Sequence, residues 1–442
     1  MNAWERLLAA RILLVFLGVV LIAGICQGQE PAAGAAAAGE PAAAYGGKSL
    51  AAWIALAEEG DDDQRRQAYY ALGEMRPPSP EATAALVAGL EDGAIVGRRY
   101  ATAALGNMGP LAAAATPALM EAITSEVVKD EFIQLHAVQT LGQIGPGAAA
   151  ALPLLQRQLA EGPPLIRVAA AHSIWQIAQD RNAVAALIRE LERPANEAPF
   201  AAALSLLAIG PVADEALPAL VQALSHADAD VRRAAAKATA AYGMRAIPLI
   251  SEALGDADPQ AAAAALGFIF DQVRNETLYN PQTSIADFRT AAAALIHTGA
   301  PAAAAIMTNP QAEPAARTAG LHALARLGPL ALVQLLTALQ SDQPPVRAAA
   351  LEGMQRLEQF LPRKPIPNID AVKRSLADRL VEPLTHEDPL VRKTVIHLYA
   401  ALEIGPYGSA AIPALRKALR EETDGGVRSD ASQALNRLLQ PE

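Results

Sequence analysis

Apolar residues along this chain fall into short helical faces that return in one register. Leu217, Leu220, Val221 and Leu224 stand at 0, 3, 4 and 7, which predicts a helix with a single buried face. A hydrophobic residue followed by arginine opens run after run of Ala and Leu: Ile166-Arg167, Val231-Arg232, Val346-Arg347, Val391-Arg392 and Val427-Arg428. From Ile133 to Gly145, Val231 to Gly243 and Ala316 to Gly328 the distance is twelve residues. That is about three helical turns, closed by a glycine able to take positive φ. A second helix then starts near a proline, at Thr116-Pro117, Leu152-Pro153, Leu217-Pro218, Ile247-Pro248 and Ile412-Pro413. Proline is tolerated in a first helical turn, where its missing N–H would have had no internal partner. Each unit reads helix, tight turn, helix.

The spacing of the turns locates the irregular units. Gly-Pro recurs at Gly109-Pro110, Gly145-Pro146, Gly210-Pro211, Gly328-Pro329 and Gly405-Pro406, with gaps of 36, 65, 118 and 77 residues. The first two gaps are one and two units. The last two fit three and two units of about 33 residues only if each holds an insertion. The chain supplies both, a polar stretch at 271–287 (DQVRNETLYNPQTSIAD) and a proline-rich one at 358–370 (EQFLPRKPIPNID). Ala178 and Glu358 replace the turn glycine in the fourth and ninth units, and the seventh first helix runs on to Val273. The last unit, ending at Leu439, lacks a full second helix and reads as a cap.

Asp228, Asp388 and Asp424 stand three residues before the conserved-register valine and four before the arginine. An exposed i,i+4 ion pair contributes about 0.3–0.5 kcal/mol, whereas a helix N-cap contributes about 1 kcal/mol. Pro259 and Pro389 directly follow Asp258 and Asp388, where the first helical residue would be, so capping is the larger effect. The arginines remain available for a ladder along stacked units.

Composition sharpens this picture. Hydrophobic residues make up 52% of the 442-residue chain but aromatics only 4%, and close to a quarter of all residues are alanine. Seven Phe, eight Tyr and three Trp cannot fill one large core, whereas many closely packed short helices need few of them. A single cysteine excludes a disulfide framework and any multi-cysteine metal site. The net charge of −10 argues against a partner held by phosphate contacts, so no nucleic acid is expected.

The N-terminus reads as an address. Arg6 and Arg11 precede an apolar run of fourteen residues, Ile12 to Ile25, short for a membrane span and suited to a secretory signal. Cys26 and Gly28 are small residues at signal-peptidase offsets, which predicts a signal peptide over 1–28 and a mature chain of charge −11. Lipidation of Cys26 is the rival reading, with Ala23 and Ile25 in the lipobox places and Ile25 a poor fit there. A retained anchor is the third. Residues 29–47 follow as an Ala/Gly/Pro-rich linker, and 48–442 carry the repeats. The protein is therefore expected to be exported, periplasmic or extracellular, touching a membrane only if the leader is kept or Cys26 is lipidated.

The D-x-x-V-R-x-x-A-x-x-A-L core, the I-G-P turn and the P-A-L-x-x-A-L second helix resemble HEAT repeats, and more closely the HEAT-like form named after phycobilisome lyases. That resemblance covers about residues 50–440. It implies an all-α, right-handed α-solenoid, a superhelix of about 10–11 HEAT-like helical hairpins. Such solenoids generally act as protein-binding scaffolds; a minority are enzymes.

No catalytic constellation stands out. Gly46-Gly47-Lys48-Ser49 looks like the tail of a phosphate loop, but Ala42 occupies the place of its first glycine, and Ser49 makes a better N-cap for a helix through Trp53 and Leu56. Gly142, Gly145 and Gly147 have the wrong spacing for a dinucleotide fingerprint. The seven histidines include no i,i+4 pair, and the di-iron HEAT hydroxylase pattern of repeated His-Glu is met only once, at His386-Glu387. His172 and His397 are expected on inner helix faces and the other histidines near the surface. With no cofactor or metal expected, the sequence reads as a non-enzymatic, monomeric scaffold binding a protein partner. Its candidate contacts are the insertion residues Arg274, Tyr279, Phe360, Arg363 and Lys364. A bilin-lyase-like enzyme or accessory, holding a small ligand near an insertion, is the alternative.

Overall fold

The computed structural model describes residues 44–125, 130–193, 197–254, 258–273, 291, 294–309, 311–339, 341, 343–357, 377, 380–386, 389–401 and 405–439. They form two compact units, Met1–Ala219 and Leu220–Glu442. Both are stacks of helices, so the all-α solenoid reading holds, apart from a two-residue antiparallel pair, Ala44–Tyr45 with Lys48–Ser49.

In the first unit a lead helix α1 (Leu50–Glu59) precedes hairpins α2 (Asp62–Glu74)–α3 (Pro80–Gly89), α4 (Ile95–Met108)–α5 (Thr116–Thr124), α6 (Glu131–Ile144)–α7 (Leu152–Glu161) and α8 (Pro164–Ala178)–α9 (Arg181–Leu191). Then come α10 (Ala198–Ile209) and α11 (Leu217–Gln222), where the division falls. The second unit holds α12 (Ala229–Ala240), α13 (Ala246–Ala253), α14 (Pro259–Val273), α15 (Ala300–Thr308), α16 (Pro314–Arg326), α17 (Leu332–Leu339), α18 (Pro344–Leu357), α19 (Pro389–Ala401), α20 (Ile412–Glu421) and α21 (Gly425–Leu439). In each unit successive first helices pack side by side: α2, α4, α6, α8 and α10 in one, α12, α14, α16, α18, α19 and α21 in the other.

The register explains the composition. Four residues beyond the unit's lead position stand Ala68, Ala101, Ala137, Ala170, Ala235, Ala265, Ala350 and Ala431, every one fully buried. A small side chain recurs where neighbouring first helices approach, with Val395 the larger exception on α19. Four residues further, Leu72, Leu105, Leu141, Ile174, Ile269, Leu324, Met354 and Tyr399 fill the space toward the second helices. At Gly142 even a methyl is too much: a Cβ there would lie 2.9 Å from the Ser173 Cα of the next first helix. Ser173 and Thr140 hydroxyls donate to the Val138 and Thr102 carbonyls of the preceding helix, at 2.8 and 3.2 Å, tying row to row.

The caps decide the competition for the aspartates. Asp228 accepts from the Asp230 N–H at 2.7 Å and Asp424 from those of Gly426 and Val427 at 2.8 and 3.2 Å. Arg232 turns instead to Asp258, the cap of the next unit, at 2.7 Å. Arginines in this column also fasten the loop before their own helix. Arg65, Arg167, Arg232, Arg347 and Arg392 donate to the carbonyls of Gly60, Gly162, His226, Ser341 and His386 at 2.7–2.9 Å.

Gly109, Gly145, Gly210 and Gly243 close first helices at φ +57, +70, +74 and +59°. In the fourth unit, where Ala178 stands at the glycine position, the left-handed residue is Gln179 at φ +53°. Gly46 and Gly47, at φ +58 and +79°, turn the short hairpin, and Ser49 caps α1 through the Ala52 N–H at 3.3 Å. Helix α21 buries Val427, Ala431, Ala434 and Leu435 and exposes Ser429, Gln433 and Asn436. No helix among the described residues is long and apolar enough to cross a membrane.

Candidate interaction surface

The two layers present different surfaces. On the second helices the residue four places beyond the proline is Glu121, Arg157, Gln222, Glu252 or Lys417. All five are exposed and alternate in sign and type, so these five residues make no stripe of one chemistry.

The first helices of the N-terminal unit differ. Arg66 and Tyr70 lie one turn apart on α2, as do Val96 and Tyr100 on α4, so each pair shares a face. Tyr70 is 50% exposed and Tyr100 39%, in a chain with few aromatics to spare. The Tyr45 ring meets Tyr70 edge-on at 6.2 Å between centroids. The Arg66 guanidinium lies 5.9 Å from the Tyr100 ring of the next row, and Arg99 lies 4.8 Å from Phe132 of the row after. Aromatic and guanidinium groups thus alternate diagonally over α2, α4 and α6, with Val96 and Ile95 exposed beside them at 46% and 42%.

Ion pairs fix the guanidiniums on the rings. Asp63 holds Arg66 at 3.0 Å, and Asp130, the cap of α6, holds Arg99 at 2.7 Å. Burial pushes the Asp130 carboxyl up, but the Arg99 hydrogen bond and the Ile133 amide outweigh it and leave it below the ordinary carboxylate range. Beneath this rung His136 is buried, against the expectation that it would lie near the surface. Its position faces α4 rather than water, and burial followed by the Arg99 charge pushes its imidazole down to about 4. His172 is pushed down to about 4 by burial alone, with an enclosed Nδ1, in keeping with an inner position. His397 meets Asp430 of α21 at 2.9 Å.

Below the ridge a buried network joins the first two hairpins. The Asp92 carboxylate accepts from Arg65 Nε and Nη2 at 2.8 and 3.1 Å, from the Tyr69 hydroxyl at 2.9 Å and from the Ala94 N–H at 2.8 Å.

The sequence-derived contact residues Arg274, Tyr279, Phe360, Arg363 and Lys364 lie outside the described residues, as do Cys26, the leader 1–28 and the Glu387 of the His-Glu dipeptide. Of the first insertion, Asp271 is described; it pairs with Arg326 of α16 at 2.8 Å. Among the described residues no three His, Cys, Asp or Glu side chains are grouped to hold a metal. Tyr70, Tyr100 and Phe132 were not singled out by their sequence, because each occurs once in the repeat pattern.

Residues 83–175 and 369–436 match the family model for HEAT repeats, so the chain carries HEAT repeats over both stretches. No curated protein matches it. Among solved structures it is similar to the CpcE–CpcF complex of phycocyanin lyase from Nostoc sp. PCC7120, with 24% identity over 60% of this chain and 98% of that one, at a TM-score of 0.35. It is also similar to yeast importin-beta, with 15% identity over 88% of this chain and 57% of that one, at 0.42. An engineered protein matches with 18% identity over 89% and 99%, at 0.31. The chain thus spans just over half the length of the importin.

Proposed function

We propose that this chain is a non-catalytic, exported scaffold that binds a protein partner through the first-helix face of its N-terminal unit. The observation that carries the reading is the Tyr70–Arg66–Tyr100–Arg99–Phe132 diagonal, its arginines held by ion pairs, its two tyrosines exposed and its other members half-buried. Tyr and Arg anchors of this kind dominate binding energy at protein interfaces. A HEAT-repeat stack supports it, because such stacks offer long side-chain surfaces whose backbone groups are already satisfied within helices. Export rests on the leader over 1–28, and the mature N-terminus is expected at Gln29.

The test compares the paired variant Tyr70→Ala/Tyr100→Ala with Glu121→Ala/Arg157→Ala on the second helices. Each is used as bait against the exported fraction beside the parent chain. The partner is expected to be retained by the parent and by the second-helix variant and lost by the tyrosine variant. A partner that survives loss of both tyrosines, or that depends on Glu121 and Arg157 instead, refutes the assignment. Intact mass of the protein from cells reports the leader separately: an N-terminus at Gln29 supports export by cleavage, and a diacylglyceryl group on Cys26 replaces it with a tethered form.

A further inference from the structure

The arginine column described above has a last member that behaves differently. Arg65, Arg167, Arg232 and Arg392 have side chains only 15–25% exposed and each pairs with an acid, while the exposed Arg347 holds the Ser341 carbonyl at 2.7 Å. The acids are Asp92, Glu190, Asp258 and Glu422, at 2.6–2.8 Å. Arg428 occupies the same place on α21, yet it is exposed and its guanidinium meets no acid and no loop carbonyl among the described residues. Two more exposed arginines in that state stand beside it in the chain. Arg420 lies in the last turn of α20, just across the 422–424 loop, and Arg416 lies one turn below it on the same face. Lys417, also exposed, reaches Glu421 at 3.7 Å, the nearest acid on this helix. Glu422 and Asp424 of the loop are already engaged by Arg392 and Lys393, at 2.6 and 3.0 Å. Asp430 of α21 meets His397 at 2.9 Å, so the three guanidiniums face no carboxylate among the described residues.

We propose that Arg416, Arg420 and Arg428 form a docking edge for an acidic segment of a partner protein. Carboxylates of that segment would stand toward Arg428 as Asp258 does toward Arg232 and Glu422 toward Arg392. This edge is separate from the tyrosine ridge, so it survives if the ridge assignment fails. Charge complementarity selects the partner: the exposed groups of the edge are three guanidiniums, so aspartate and glutamate, not aromatic anchors, would recognise it.

The probe is a fluorescein-labelled octa-glutamate peptide, read by anisotropy against the full chain at 50 and 300 mM NaCl. Binding is expected at low salt and should weaken as salt rises. The triple variant Arg416→Gln/Arg420→Gln/Arg428→Gln should bind about tenfold more weakly. Arg157→Gln, which removes an exposed arginine of α7, should bind as the parent does. Unchanged melting of the triple variant shows that the loss is not unfolding, and Arg428→Lys should restore much less than Arg428 itself, because an ammonium cannot make the paired fork of a guanidinium. Equal affinity of parent and triple variant overturns the proposal. So does an equal loss in Arg157→Gln, which would make the attraction a diffuse property of the surface.

Discussion

Removing the Asp92 carboxylate should destabilise the N-terminal unit far more than a surface aspartate would. Its side chain is 1% exposed and accepts four hydrogen bonds, from Arg65 twice, Tyr69 and Ala94. In Asp92→Ala the Tyr69 hydroxyl, on a residue 3% exposed, loses its acceptor. A buried donor left unmade costs about 1–3 kcal/mol. The Ala94 amide, half-buried just before α4, loses a hydrogen bond and adds about 1 kcal/mol. Arg65 keeps its bonds to the Gly60 carbonyl and to Asp62, so no share is assigned to it. The sum is about 3 kcal/mol, and Tyr69→Phe added to Asp92→Ala should recover about 1–2 kcal/mol of it. Urea unfolding followed by the fluorescence of Trp53 and Trp175 measures both. The acid limb gives an independent check. Burial opposes the charge on Asp92, but its donors outweigh burial and hold its carboxyl below the ordinary range. Its contribution is therefore present above the unfolded carboxylate value, near 3.9, and is lost as pH falls through the folded one. Asp92→Asn should flatten that limb. A cost under about 1 kcal/mol for Asp92→Ala, or no recovery in the double variant, would refute the network as described.

Three further outcomes follow from the same geometry. Gln179→Gly should stabilise the fourth unit by about 0.5–1 kcal/mol in urea melts, since glycine takes the left-handed φ without the Cβ penalty while losing the Gln179 side-chain bond to the Trp175 carbonyl. Leu105→Ala, Leu141→Ala and Leu220→Ala, all at fully buried positions, should each cost about 2–5 kcal/mol, and near-zero costs at all three would break the register. His136 is held neutral by burial with its value near 4, so the unfolded chain takes up the proton first. The His136 share of stability should fall as pH drops from about 6.5 toward 4, by up to about 3 kcal/mol, and His136→Phe should remove that share while leaving the one from His172.

Legibility in the sequence tracked repetition. The alanine four places beyond the lead hydrophobic position, the turn glycine, the proline of the second helix and the arginine each occur many times, so their physical roles could be read from any unit and checked in the next. The aspartate competition was resolvable because an N-cap and an i,i+4 pair differ in size, although the arginines' actual partners, the next unit's cap Asp258 for Arg232 but Asp92, Glu190 and Glu422 for Arg65, Arg167 and Arg392, needed the packing itself. His136 was misplaced because a lone histidine carries no periodic signal. Whether it faces α4 or water depends on the rotation of α6, which the leucines fix only to within part of a turn.

The ridge was missed for a related reason that shows how it could have been found. Repeat analysis averages over units and so discards what one unit does alone. Tyr70, Tyr100 and Phe132 occupy different positions of the register, and no column contains two of them. Aligned on Gln64, Gly97 and Ile133, however, they step back along the helix by three or four residues from one row to the next, one helical turn per row. A diagonal of that pitch keeps the side chains adjacent across rows, so the aromatic and cationic groups touch although their columns differ. Buried alanines recur in one column because the helix contact is the same in every unit; exposed anchors need not, because a partner lying obliquely across the helices meets each row one turn further along. In a solenoid, function should therefore be sought in exposed residues that break the column pattern along a shared diagonal, and the Tyr70–Phe132 line is the described stretch of this chain that does so.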